Sequence, residues 1–361
     1  MPISTNLYAA SYQVTGPTTP YTWVDISTSP NTVVLNDDAV SGLINIGFTF
    51  NFGGTDYTQV RITSNGMLYF NAAGGNTGSW WNNVAVNNAT QTGTYGISNA
   101  MMPYWTDLNP ANVANRIRYQ TLGLAPNRQF VTSFLGVPTY STSGANTFQV
   151  ILNENGSFMY NYQSTNTQGG GGNPEGATIG YHVSGADFSQ FSLNTASVPN
   201  LRTLSWSRIA PILTNLKTVS VLSDPFNNVT NPKHVPDALI QYAVRITNSS
   251  LGGVVDNNKI IITDPIPVNT TLFTGALSGS APYIFTDSTP SSAITCPFVA
   301  LNNNTDCVDF SNDNGATWTY VPNGSYDTTV THLRFRPTGI MAGNTGAGNP
   351  FFEVKFNVQV K

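Results

Sequence analysis

The feature that most constrains this chain is a two-residue alternation of large apolar with small or polar side chains. It is kept in short runs that Gly, Asn and Pro interrupt. INIGFTFNF (Ile44 to Phe52), VRITSNGMLYF (Val60 to Phe70), TFQVIL (Thr147 to Leu152) and SFMYNY (Ser157 to Tyr162) all carry it. Successive side chains of a strand point to opposite faces, so this period predicts strands with one buried face. Asn65-Gly66 and Asn155-Gly156 punctuate such runs, and Asn-Gly favours two-residue hairpin turns with positive φ. Nothing resembles an amphipathic helix longer than two turns. The Gly-rich run at Gln168 to Asn173 reads as a loop tip. The expected fold class is therefore all-β, built as sandwiches.

Composition narrows the function classes. Charged residues are 9% of the 361, against about 25% in ordinary soluble domains. Asn, Thr and Ser fill roughly a third of the positions, so the polar surface is amide and hydroxyl. Phosphate neutralisation needs Lys and Arg, and no Lys precedes Lys217, which argues against a nucleic-acid partner. With 40% hydrophobic and 11% aromatic residues the chain is not a disordered one. No apolar run is long enough for a membrane helix, so no transmembrane segment is expected. Met1 leads into PISTNLYAASYQV, which has neither a charged n-region nor a long apolar run; a removed leader and another export route both fit.

The composition changes between Ile209 and Asn215. After it come runs such as LKTVSVLS, ALIQYAVRIT, KIIITD, VTHLRFR and FFEVKFNVQV, and all five lysines fall in this half. This predicts two domains, 1–210 and 211–361, the second an immunoglobulin-like sandwich of about 150 residues. Cys296 and Cys307 are the only cysteines. They are either two thiols or a disulfide; the secreted-looking composition favours the disulfide.

Two resemblances bear on these domains. FTFNFGGTDYTQVRITSNGMLYF, MMPYWTDLNP, a Y-x-T-x-G-x-x-P-N-R run at Tyr119 to Arg128, TFQVILNENGSFMYNY and ATIGY follow one another in order over about residues 40–185. They resemble the nidogen-like β domains of bacterial surface proteins and some animal matrix proteins. This implies a jelly-roll or nidogen-like sandwich in a secreted or cell-surface protein with no enzymatic activity of its own. From about 217 to 361, SDPFNNVTNPKHVPDALIQYAVRITNSS, ITDPIPVNTTLF, FSNDNGATWTYVP and FFEVKFNVQV look like the repeat-type Ig-like domain of bacterial surface proteins. Such domains serve as stalks or structural modules, usually in arrays; here there is one copy.

Candidate chemistry is sparse. Ser311, Asp313, Gly315, Thr317 and Trp318 match the S-x-D-x-G-x-T-W box seen in sialidases, whose physical content is a turn held by Asp313 over a packed Trp318. Asp309 and Asp313 are weak candidates for a structural Ca²⁺, as are the Asp37-Asp38 pair and Asp56, although the EF-hand spacing is missing. Asp107 and Glu154 are the only acids in strongly patterned apolar surroundings, and a glycosidase needs two facing carboxylates. Asp107 in YWTDLNP reads better as a turn former. His182, His234 and His332 have no metal-ligand spacing, and no nucleophile elbow appears. No catalytic residue, no cofactor and no enzymatic activity are expected. Lys217 and Asn357, on the first and last strands of the second domain, are placed as a Lys–Asn isopeptide pair would be.

Two surface features carry binding expectations. Trp80 and Trp81 in GGNTGSWWNN could form a glycan platform or anchor a loop. Leu7, Ala9, Tyr12 and Val14 lie on an alternating N-terminal segment ahead of a Gly-Pro break. It could close its own domain or complete the sheet of another molecule. Head-to-tail addition does not close and builds filaments. The expectation is an extracellular, self-assembling structural subunit of a bacterial surface filament or matrix, with copies of itself or other surface proteins as partners. A monomeric adhesin that binds glycan or protein is the alternative.

Overall fold

The computed structural model describes residues 10–18, 21–70, 80–87, 97–111, 113–140, 145–165 and 176–361. The chain divides into two units, Met1–Ile209 and Ala210–Lys361. Every regular element among the described residues is a strand. No helix among the described residues is long and apolar enough to cross a membrane.

The first unit holds β1 (Tyr12–Thr18), β2 (Ile44–Phe52), β3 (Thr55–Ile62), β4 (Leu68–Tyr69), β5 (Ala100–Trp105), β6 (Ile117–Leu122), β7 (Gln129–Pro138), β8 (Ala145–Asn153), β9 (Phe158–Ser164), β10 (Thr178–Ser184), β11 (Asp187–Leu193) and β12 (Arg202–Arg208). They form two six-stranded sheets, ordered β1-β12-β9-β8-β7-β6 and β11-β10-β5-β4-β3-β2. On β2 the alternation is realised residue by residue: Ile46, Phe48, Phe50 and Phe52 are buried while Asn45, Gly47 and Thr49 are exposed. The two inner faces meet through aromatic pairs. Ring centroids of Tyr104 and Phe148 are 5.6 Å apart, and those of Phe158 and Tyr181 6.2 Å. The buried phenols stay satisfied across the sandwich: Tyr160 Oη donates to Gly180 O at 2.9 Å and Tyr162 Oη to Pro103 O at 2.7 Å.

β5 departs from alternation because all six of its residues are buried. Its inner face joins the main core through Met101 and Tyr104. Its outer face, with Ala100, Met102 and Trp105, is covered by Trp80, Val84 and Val86. A strand covered on both sides gains nothing from a polar face.

The Asn155-Gly156 turn differs from the expected two-residue hairpin. Only Gly156 has positive φ (+85°), Gly156 N–H donates to Asn153 O, and Asn153 N–H donates to Ser157 O. A turn in which glycine alone is left-handed spares Asn155 that strain. At Gly66 the reason for glycine is different: a Cβ there would stand 2.3 Å from Tyr104 O.

The second unit holds β13 (Leu213–Ser223), β14 (Leu239–Asn248), β15 (Ile262–Pro265), β16 (Thr270–Phe273), β17 (Ile284–Asp287), β18 (Val308–Ser311), β19 (Tyr326–Asp327), β20 (His332–Phe335) and β21 (Phe351–Val360). One sheet runs β13-β14-β21-β16-β19, with β17 also on β21; the other runs β15-β20-β18. Val354, Phe356 and Val358 of β21 and Ile240 and Val244 of β14 pack with Val308, Phe310, Leu333 and Phe335 of the smaller sheet. Cys296 and Cys307 are joined, with Cα atoms 5.0 Å apart and Cys307 in this core.

Candidate functional site

The N-terminal candidate strand splits at the edge of the described residues. Leu7 and Ala9 lie outside them. Tyr12 and Val14 sit on β1, which pairs antiparallel with β12, Tyr12 opposite Arg208 and Val14 opposite Trp206. Tyr12 is a core residue, its ring 4.9 Å from Phe158 and 5.1 Å from Tyr181. The strand entrance is pinned as well. Asp187, on the opposite sheet, accepts from Ser11 N–H at 2.8 Å, from Ser11 Oγ, and from Tyr181 Oη at 3.2 Å. Burial raises the Asp187 pKa, while the bonds from Ser11 and Tyr181 hold it down. From Ser11 onward this segment is therefore built into its own domain.

The tryptophan pair divides between two environments. Trp80 is half-buried against β5, and its carbonyl accepts from Trp105 Nε1 at 2.7 Å; Trp81 is exposed. Trp80 holds the loop onto the sheet, so only Trp81 is free to meet a ligand face-on.

The acids weighed for calcium on the second unit are engaged within the chain. Asp309 is buried between two guanidinium groups, 2.7 Å from Arg334 Nη2 and 2.7 Å from Arg336 Nε. Asp313 closes its turn by accepting from Ser311 Oγ (2.6 Å), Thr317 N–H (2.9 Å) and Thr317 Oγ1 (2.6 Å), which lower its pKa to about 2. Trp318 supports that turn and carries Arg334 over its ring at 4.5 Å. The S-x-D-x-G-x-T-W pattern is thus a turn-holding device here.

Asp107 and Glu154 are not brought into one pair. Glu154 is bound by the Arg128 side chain and backbone N–H, which bring its pKa down to about 2. Asp107, after β5, has Asp37 and Asp38 as its acidic neighbours. His182 is buried on β10, His332 lies on β20 and His234 is exposed in a loop; no metal-type cluster contains them among the described residues.

Lys217 and Asn357 occupy opposite faces of their sheet. Lys217 is in register with Val244, and Val244 with Val354, three residues before Asn357. Asn357 accepts from Gln241 Nε2 at 3.1 Å. Lys217 instead passes over the Tyr242 ring at 4.4 Å to reach Asp264 Oδ1 at 2.6 Å.

What sequence reading passed over is an edge. Among the described residues β13 pairs with β14 on one side only, and its first eight residues are exposed on both faces. Leu216 is 56% and Val219 50% exposed. Beside it opens a groove of about 430 Å³ lined by Leu213, Ile246, Val255, Ile260 and Ile262. Its far wall leads into β15, itself the edge of the smaller sheet. The signal was legible as LTNLKTVSVLS, a strand with apolar residues on both parities.

Residues 11–216, more than half of the chain, match the family model described as NIDO related. No curated protein and no solved structure matches the chain. The matched span takes in the twelve strands described in the first unit, and by it the chain belongs to the NIDO-related family.

Proposed function

We propose that the chain is a non-enzymatic structural subunit of a bacterial surface filament or extracellular matrix, assembled from copies of itself. The observation that carries this reading is the free β13 edge. An unpaired strand offers a row of N–H and C=O groups to any strand that can reach it, and folded proteins ordinarily protect such edges with charge, proline or a cover. The one charge on β13, Lys217, is turned inward to Asp264. Ile212, Leu213, Leu216, Val219 and Ile261 add exposed apolar surface around the edge and groove.

The donor in this reading is the segment ahead of Ser11, which contains Leu7 and Ala9. Main-chain bonds to β13 would supply affinity, and alternate side chains would fill the groove. One copy's N-terminus in the next copy's second unit is a head-to-tail contact, which propagates without closing. Low surface charge leaves little repulsion between neighbours. The second unit's resemblance to the Ig-like repeat of bacterial surface proteins supports an extracellular setting.

Negative-stain electron microscopy and sedimentation across a concentration series test it. Filaments are expected from the intact chain. They should be lost on deletion of residues 1–9 and in Leu216→Lys/Val219→Lys, with unfolding transitions retained in both. Single particles at every concentration would overturn the subunit reading. The adhesin alternative, which rests on exposed Trp81, would then be tested by glycan-array binding with Trp81→Ala as the control.

A further inference from the structure

Among the described residues, three carboxylates from two segments about seventy residues apart converge in the first unit. Asp37 and Asp38 lie in the turn before β2 and Asp107 in the connection after β5; one oxygen of each falls within 4.8 Å of the others. That limit is twice an ordinary calcium–oxygen distance of about 2.4 Å, so any two of these oxygens can share one ion and a side-chain shift of a few tenths of an ångström brings in the third.

Convergence of acids alone would be unremarkable on a surface, but this cluster has a buried member. Asp107 is 5% exposed, and no hydrogen bond reaches its carboxylate among the described residues. Asp37 Oδ1 is likewise buried without a partner. None of the ion pairs among the described residues involves any of the three. A buried carboxylate without a cation or donor is costly, and two like charges beside it add to the cost. Burial first, then repulsion from Asp37 and Asp38, pushes Asp107 up to about 6.

The scaffold holds this arrangement in place. Ala39 and Ser64 exchange bonds, Ala39 N–H to Ser64 Oγ at 3.0 Å and Ser64 N–H to Ala39 O at 2.9 Å. Buried Asn65 donates to Asp38 Oδ1 at 2.7 Å and accepts from Leu108 N–H at 2.8 Å, so one amide spans both ligand-bearing loops. On the other side, Tyr140 N–H donates to Asp107 O at 2.9 Å. Such second contacts fix ligand orientation before an ion arrives.

We propose that Asp37, Asp38 and Asp107 bind a calcium ion that ties the turn before β2 to the connection after β5. Hard oxygen donors with no nitrogen or sulfur select such a cation. Ligands beyond the three carboxylates would be water or backbone carbonyls, which calcium accepts in its loose geometry.

The test is thermal unfolding and isothermal titration of the full chain with CaCl₂ against EGTA. At 10 mM Ca²⁺ and the submillimolar to millimolar affinity typical of extracellular sites, the transition of the first unit should rise by about 3–10 °C. Titration should give one site. Asp107→Asn should abolish both responses while melting in EGTA no lower than the unaltered chain, because it removes a buried charge. Should Asp107→Asn fail to fold, Asp38→Asn on the exposed side should weaken the titration. No calcium response in the unaltered chain, or an undiminished one in both variants, would overturn the proposal.

Discussion

Lys217 Nζ stands 2.6 Å from Asp264 Oδ1, and the other oxygen of that carboxylate is buried without a hydrogen-bond partner. Asp264 is 5% exposed, whereas the lysine keeps 39% of its side chain in solvent. The acid therefore depends on the amine more than the amine on the acid. Lys217→Ala should destabilise the second unit by about 1–3 kcal/mol, because it leaves a buried charge unpaired while solvent screens part of the pair. Adding Asp264→Ala should recover part of that loss. Denaturant unfolding of the double-mutant cycle checks it; strict additivity would show that the two do not interact.

The disulfide gives a domain-specific expectation. Cys296 and Cys307 are 11 residues apart in sequence, and closing so short a loop is worth about 2–3 kcal/mol. Reduction, or Cys296→Ala/Cys307→Ala, should lower the unfolding transition of the second unit and leave that of the first unmoved. Two-transition calorimetry separates these outcomes.

His182 should make the first unit acid-sensitive. Its side chain is 1% exposed, and neither ring nitrogen has a partner. Burial pulls its pKa from 6.5 down to about 4. The fold needs the neutral ring, so its contribution is complete above pH 6.5. Stability should then fall as the pH drops from 6.5 towards 4, by about 3 kcal/mol once the window is crossed. His182→Phe should remove this component from stability measured between pH 7 and pH 4. An unchanged slope would show that other groups carry the acid response.

Tyr12 sets how far the N-terminus can be trimmed. Deleting residues 1–9 leaves β1 intact, whereas deletion through Gly16 removes Tyr12 and the pairing partners of Trp206 and Ser205. Tyr12→Ala should cost about 3–5 kcal/mol, as expected for a buried aromatic. Asp187→Ala should loosen the same strand by freeing Ser11 and Tyr181. Hydrogen exchange at Gln13 N–H, which faces Ser207 of β12 in the antiparallel register, would report that loosening directly.

What the sequence determined by itself is local. The burial alternation of Ile46, Phe48, Phe50 and Phe52 follows from strand geometry alone, so INIGFTFNF specified both an element and its inward face. Asp313 and Thr317 lie four residues apart, and their turn could be read from that spacing. Tertiary structure decided what depends on distant chain. Whether Tyr12 serves its own domain turns on β12, nearly two hundred residues later, and on Asp187 from the opposite sheet. Trp80 and Trp81 are neighbours in sequence, yet the outer face of β5 half-buries one and leaves the other to solvent. Asp309 looked like a cation ligand until Arg334 and Arg336 closed on it, while Asp107 looked like a turn residue until Asp37 and Asp38 arrived beside it. The physical reason is that strand formation reads a two-residue period along one segment. Charge compensation depends instead on distance and burial, which only sheet order and loop packing set.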